Sequence, residues 1–205
     1  MNKKKGLFIS FEGPEASGKS SQILLLQKYL TTKKISFITT REPGGTKLAE
    51  SLRNLILKIK SDINIDEEIL MLMAARSHHI NNVIKPALNE GILVISDRFA
   101  DSTFVYQGYV NNFGIQKAKS LHKNILNNFL PHKTFLFNLS SSKIIARLKK
   151  RKSKNKYDKL ERNFHDQVNR GYELISKNKR FIKIDASKSI TSINKKIINA
   201  INLLI

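Results

Sequence analysis

The chain has 205 residues, 40% of them hydrophobic: enough for one domain with a full core, and too apolar for a disordered chain. It has no cysteine, which excludes disulfides and thiolate metal sites, and no apolar run near the roughly 18 residues a membrane span needs; both point to the cytoplasm. Lysine and arginine total 37 against 16 acidic residues, and the resulting charge of +21 leaves three readings open: nucleic-acid binding, attraction of small anionic substrates, or surface drift toward Lys, Asn and Ile.

In chain order, a short apolar strand is predicted over 7–11, too short for the core of a signal peptide. A helix over 20–30 follows, with apolar residues at Ile23, Leu24, Leu26, Tyr29 and Leu30. Between them Gly13-Pro14-Glu15-Ala16-Ser17-Gly18-Lys19-Ser20 completes the pattern G-x-x-x-x-G-K-[ST]. Backbone N–H groups of such a loop, and the N-terminus of its helix, point at phosphates. The implied ligand is a nucleoside triphosphate with Mg²⁺, held by residues 13–20 and by Ser21. Lys19 should reach the β- and γ-phosphates, and Ser20 should help to hold the metal.

A second strand is predicted over 36–40, ending in the tight turn Arg41-Glu42-Pro43-Gly44-Gly45-Thr46, where Arg41 offers a phosphate ligand. Helices over 46–60 and 66–89 come next. On the second of these, Met71, Leu72 and Met73 fit a core. His78 and His79, about 100° apart on a helix, suit a surface or interhelix position and make a poor metal pair. The third strand, 92–96, ends on Asp97-Arg98: a carboxylate placed to organise Mg²⁺ through its waters and a guanidinium fork for a phosphate. A long helix over 101–129 carries Tyr106-Gln107-Gly108. Strands over 134–139 and 181–185 and helices over 141–150, 163–178 and 189–204 complete the chain. The lysine-rich stretch 149–159 is expected to be mobile. Strands alternating with helices predict an α/β fold: a parallel five-stranded sheet of the P-loop NTPase type, covered on both faces, with ligands at the carboxyl ends of the strands. No linker or repeat divides residues 1–205, so one domain is expected.

Taken together, several stretches resemble the bacterial thymidylate kinase family. They are Phe11-Glu12-Gly13-Pro14-Glu15, Thr40-Arg41-Glu42-Pro43-Gly44-Gly45-Thr46, Ala74-Ala75-Arg76, Val83-Ile84-Lys85-Pro86-Ala87-Leu88, Asp97-Arg98-Phe99, Ser102 with Tyr106-Gln107-Gly108, and Phe164-His165 with Gly171-Tyr172. The resemblance implies transfer of the γ-phosphate of ATP to dTMP, giving dTDP for dTTP synthesis, with Mg²⁺, in a cytoplasmic homodimer. It implies that Glu15 meets the sugar 3′-hydroxyl and that Arg41 and Arg98 hold the acceptor phosphate. Arg53 would lie beside the nucleotide, Arg76 would bond the thymine ring, and Thr103 and Gln107 would contact the base. Tyr106 would crowd the 2′ carbon, and the Glu42–Pro43 bond would be cis.

The chain departs from the family pattern in three places. Leu72 stands where many relatives stack an aromatic ring on thymine. Lys156 stands where a lid arginine is usual. Ala16 replaces the phosphate-loop arginine of some members, so a lid over about 147–159 should supply the catalytic cation, with Arg147, Lys149 and Arg151 as donors. Lys19, Arg98, Arg147 and Arg151 are the expected catalytic residues. Two alternatives stay open: a kinase for another pyrimidine nucleotide such as dUMP, and a nucleic-acid-binding NTPase. The second is suggested by the charge and opposed by the lack of room for another module.

Overall fold

Phe8–Glu12 (β1) lies at the centre of a parallel sheet, between Leu93–Asp97 (β3) on one side and Lys133–Asn138 (β4) on the other. Phe37–Arg41 (β2) flanks β3 and Phe181–Asp185 (β5) flanks β4, so the order is β2-β3-β1-β4-β5. The computed structural model describes residues 6–58, 63–150 and 161–205. Every strand lies within one residue of its predicted span. Short apolar runs bounded by turn residues carry that information locally.

The sheet is covered on both faces, as a parallel sheet must be. Side chains alternate along β1. Ile9 and Phe11 join Leu26, Leu30, Ile95, Phe135, Phe137, Ile184 and Ile197 in one buried cluster. The helices on this side are Lys19–Thr32 (α1), Ser141–Lys149 (α7) and Ile190–Asn202 (α9). Phe8 points the other way, into a cluster with Ile69, Met73, Ile84, Val94, Phe99, Val105 and Tyr172. Ser10 and Glu12 share the Phe8 face and are fully buried. Ser10 is satisfied by Thr134 at 2.9 Å; Glu12 belongs to the site below.

Lys47–Lys58 (α2) and Ile65–His79 (α3) pack together beside this second face. A reciprocal cap starts α3: the Asn64 side chain accepts from the Glu67 N–H, and the Glu67 carboxylate accepts from the Asn64 N–H. The helix expected over 66–89 is not uniform. After α3 it widens into a π-helical turn, Ile80–Ile84, and resumes as Lys85–Asn89 (α4). Pro86 has no N–H to give to the Asn82 carbonyl and its ring crowds that turn. The wider turn, in which the Lys85 N–H reaches Ile80 O, accommodates it.

The helix expected over 101–129 is also broken, into Ala100–Thr103 (α5), a π-helical stretch Phe104–Val110, and Ile115–Leu126 (α6). Between them Asn112 and Gly114 take left-handed angles of 57° and 98°. The amides of Phe113 and Gly114 then turn back to Gln107 O and Gly108 O. Arg162–Ile175 (α8) packs on the π-helical stretch. The expected lid begins on α7. Residues 151–160, including Arg151 and Lys156, lie outside the described residues.

Candidate active site

A cavity of about 540 Å³ opens at the carboxyl ends of β1, β2 and β3. The phosphate loop forms one side of it. Gly13 has φ 133°, and a Cβ there would lie 2.5 Å from Phe137 O, so only glycine lets the loop leave β1 along this path. Gly18, with φ 94°, leads into α1, and no side chain caps the first turn of that helix. Its amides are thus oriented for an anion. Lys19 is folded back into the loop, where Nζ donates to Pro14 O at 2.8 Å, Gly13 O at 3.0 Å and Ser17 Oγ at 3.3 Å. Burial, with the Arg98 charge, pulls its pKa down to about 8, against the opposing pull of Asp97, Glu15 and Glu12. Ser20 Oγ donates to Asp97 Oδ2 at 2.9 Å. That hydroxyl and carboxylate are hard oxygen donors of the kind Mg²⁺ prefers.

Opposite the loop stands Arg98, in the turn after β3. Its backbone is left-handed at φ 70°, unusual for a side chain of this size. The turn is pinned by Arg98 N–H to Phe11 O at 3.0 Å and by Ser96 Oγ to Arg98 O at 2.6 Å. Arg98 Nη2 bonds Glu15 Oε1 at 2.8 Å, and Tyr106 Oη donates to Glu15 Oε2 at 2.7 Å. Burial pushes the Glu15 carboxyl up, but Arg98, Lys19 and the Tyr106 hydroxyl outweigh it and hold it below the ordinary value. The Arg98 guanidinium also lies 5.2 Å from the centre of the Tyr106 ring.

The far wall is built from α3 and the π-helical stretch. Arg76 is buried, with Nε on Glu42 Oε2 at 2.6 Å and Nη2 on Thr103 Oγ1 at 2.8 Å. Gln107 Nε2 donates to Glu68 Oε1 at 2.8 Å. Leu72 lines the cavity; Met73 does not, and packs in the core with its sulfur 3.9 Å from Arg76 Nη1. At the mouth, Arg41 is 56% exposed and paired with Glu50 at 2.8 Å. Arg53 Nη1 bonds Pro43 O at 2.7 Å, and the Glu42–Pro43 peptide is cis.

Glu15, Ala16, Ser17, Gly18, Lys19, Ser20, Ser21, Arg41, Arg53, Leu72, Arg76, Asp97, Arg98, Thr103, Tyr106 and Gln107 therefore line one cavity. Gly13 and Pro14 lie beneath it as acceptors for Lys19. Arg147 is outside, bridging the phosphate loop at Ala16 O (3.1 Å) to Ala186 O (3.0 Å) after β5. A separate groove of about 680 Å³ at the ends of β4 and β5 carries charges of both signs and none of the motif residues.

Sequence reasoning missed three groups. His79 is not at the surface: it is fully buried between Glu42 Oε1 (3.0 Å) and Thr40 Oγ1 (2.7 Å). Glu42 thus spends one oxygen on Arg76 and the other on His79, and those two partners outweigh burial and hold its pKa low. Glu12 is fully buried, and burial with the nearby Asp101 charge raises its pKa to about 7. A carboxylate ending a central strand that carries Phe8, Ile9 and Phe11 was the available signal for Glu12.

Residues 11–197 match the family model for thymidylate kinase. The chain is 41% identical over 200 residues to a thymidylate kinase of Mycoplasma capricolum subsp. capricolum, covering 95% of this chain and 94% of the relative. It is 37% identical over 196 residues to one from Halothermothrix orenii (94% and 95% covered) and 39% identical over 205 residues to one from Orientia tsutsugamushi (96% and 93%). With the phosphate loop, the Arg98 turn and the Arg76 wall meeting in one cavity, and with near-complete coverage of these relatives, the chain belongs to the thymidylate kinase family.

Proposed function

We propose that this chain transfers the γ-phosphate of ATP to dTMP, giving dTDP for dTTP synthesis, as a cytoplasmic homodimer that uses Mg²⁺. The observation that carries the reading is that a triphosphate loop and a polar, arginine-bearing wall share one cavity. Phosphoryl transfer needs alignment and charge neutralisation more than covalent chemistry. Residues 13–21 bind the triphosphate, and Lys19 leaves its carbonyl partners for the β- and γ-phosphates. Arg98, with Arg41 at the mouth, holds the acceptor phosphate in line. Glu15 receives the sugar 3′-hydroxyl, Tyr106 crowds the 2′ carbon, and Arg53 lies beside the nucleotide. Arg76, Thr103, Gln107 and Leu72 take the base. The acceptor is already an anionic phosphate oxygen, so no strong general base is required.

Ser20 and Asp97 would hold Mg²⁺. Among the described residues no cluster of three or more His, Cys, Asp or Glu could bind a metal alone, which suits an ion that would arrive with the triphosphate and its waters. When bound, the ion neutralises charge on the β- and γ-phosphate oxygens. Arg147 and Arg151 are the arginines proposed to stabilise the transferring phosphoryl; Arg147 already touches the phosphate loop.

No helix among the described residues is long and apolar enough to cross a membrane. The test is ADP formation with dTMP, with dUMP, with single-stranded DNA and with no acceptor. Turnover with dTMP well above the other three is expected. Equal turnover with dUMP would favour a broader pyrimidine kinase, for which Leu72 in the base wall is the motivation. Stimulation by DNA alone would replace the reading with a nucleic-acid-dependent NTPase.

A further inference from the structure

Glu12 is absent from the cavity lining, yet its carboxylate is surrounded by donors that also touch the turn carrying Arg98. Oε1 accepts from the Phe99 N–H at 2.7 Å, the residue next to Arg98. Oε2 accepts from Ser102 Oγ at 2.7 Å and from Tyr172 Oη at 2.8 Å. The same two hydroxyl oxygens accept from Arg98 Nη1, at 3.0 Å and 3.3 Å. Each hydroxyl has one proton, and above pH 7, where Glu12 is ionised, each gives it to that carboxylate. Their lone pairs are thereby left facing the guanidinium. Tyr172 reaches this point because α8 approaches the π-helical stretch closely at Gly171, where a Cβ would lie 2.9 Å from Val105 Cγ1.

We infer that Glu12 is a positioning residue for the acceptor-phosphate arginine: through Ser102 and Tyr172 it fixes where the Arg98 fork points. Only a carboxylate accepts on both sides. In Glu12→Gln, an amide NH₂ placed toward the hydroxyls would donate to them and turn their protons toward Arg98. Placed toward Phe99, it would oppose the N–H there. The first arrangement removes acceptors from Nη1; the second repels the Phe99 N–H and so shifts the turn that carries Arg98; both keep the side chain's size.

The inference rests on the reading of Arg98 as a ligand of the dTMP phosphate. The experiment is a cycle of four proteins, wild type, Glu12→Gln, Arg98→Lys and the double variant, with dTMP, thymidine and ATP affinities measured by calorimetry at pH 8, where Glu12 is ionised. Glu12→Gln should weaken dTMP by about tenfold while leaving thymidine and ATP unchanged, and should add little once Arg98 is lysine. A merely structural role would lower all three affinities and would add its full factor in the Arg98→Lys background; either result overturns the inference. If Arg98→Lys itself weakens thymidine as much as dTMP, the reading of Arg98 fails first and the inference with it. If Arg98→Lys spares thymidine but Glu12→Gln does not couple to it, the inference alone fails. Should Glu12→Gln not fold, Tyr172→Phe takes its place in the cycle. It deletes one acceptor from Nη1 and should show the same coupling with a smaller loss.

Discussion

Arg98 Nη2 and Glu15 Oε1 form a 2.8 Å ion pair that joins the turn after β3 to the phosphate loop. Both residues line the cavity, and on the proposed reading one end of the pair lies on its acceptor side and the other on its donor side. Each neutralises the other, so a phosphate that takes Arg98 Nη2 would displace a carboxylate oxygen. On the proposed reading, that exchange would place the acceptor phosphate against the phosphate loop and release Glu15 toward the sugar.

Arg98→Lys should therefore damage dTMP binding selectively. A lysine is a point charge on a flexible stem and cannot reproduce a bidentate fork. A loss of about 2 kcal/mol is expected, roughly thirtyfold in affinity. Thymidine, which has no phosphate, should bind the wild type and the variant equally. Equal weakening of both ligands would show that Arg98 serves something other than the phosphate.

Lys19→Ala should abolish phosphoryl transfer and leave dTMP affinity within about twofold, since the hydrogen bonds of Nζ all go to the phosphate loop. Calorimetry with dTMP alone checks it; a comparable loss of dTMP affinity would refute the assignment. The lysine's depressed pKa, about 8, adds a signature. Triphosphate oxygens favour the charged amine, so ATP binding near pH 8 should take up about half a proton. Titrations in buffers of different ionisation enthalpy read that uptake directly. None between pH 7 and 8.5 would mean that Lys19 is already fully charged.

At the base wall, Leu72→Phe should tighten dTMP by roughly two- to tenfold, because an aromatic contact adds about 0.5–1.5 kcal/mol beyond area burial. Leu72 lines the cavity, whereas Met73 packs in the core. Met73→Ala should instead lower stability by about 2–5 kcal/mol. Parallel dTMP titrations and thermal melts separate the two. If Leu72→Phe folds normally without gaining affinity while Met73→Ala loses it, Met73 is the platform for the base.

The Glu12 carboxyl predicts a pH dependence of stability. Its folded pKa, about 7, lies above the ordinary 4.5 because of burial and the Asp101 charge, with Arg98, Ser102 and Tyr172 opposing. Between those values the folded protein holds a proton that the unfolded chain has lost. The contribution is thus fully present below pH 4.5 and is lost as pH rises through 7, by roughly 3 kcal/mol. The stability difference between wild type and Glu12→Gln, from denaturant melts at pH 5 and pH 8, should shift against the wild type by that order. A difference independent of pH would remove the claim.

The sequence by itself determined the five strands and the phosphate loop and, through the family resemblance, most of the residues that line the cavity, though not Ile56, Leu57 or Glu68. These are local patterns: apolar runs set strands, glycine spacing sets the loop, and short motifs end at strand termini. Local periodicity drew two helices as uniform. It does not register the π-helical turn with which the first accommodates Pro86, or that Asn112 and Gly114 reverse the chain within the second. Tertiary structure alone decided the supporting shell. Glu12 and Tyr172 are 160 positions apart and meet at 2.8 Å only because α8 packs on the π-helical stretch Phe104–Val110. His79 reaches Glu42 across 37 positions, and only there does a histidine that sequence spacing placed outside any site hold the carboxylate that orients Arg76. A hydrogen bond needs its partner within about 3 Å, and no sequence pattern states which distant residue the fold brings that close.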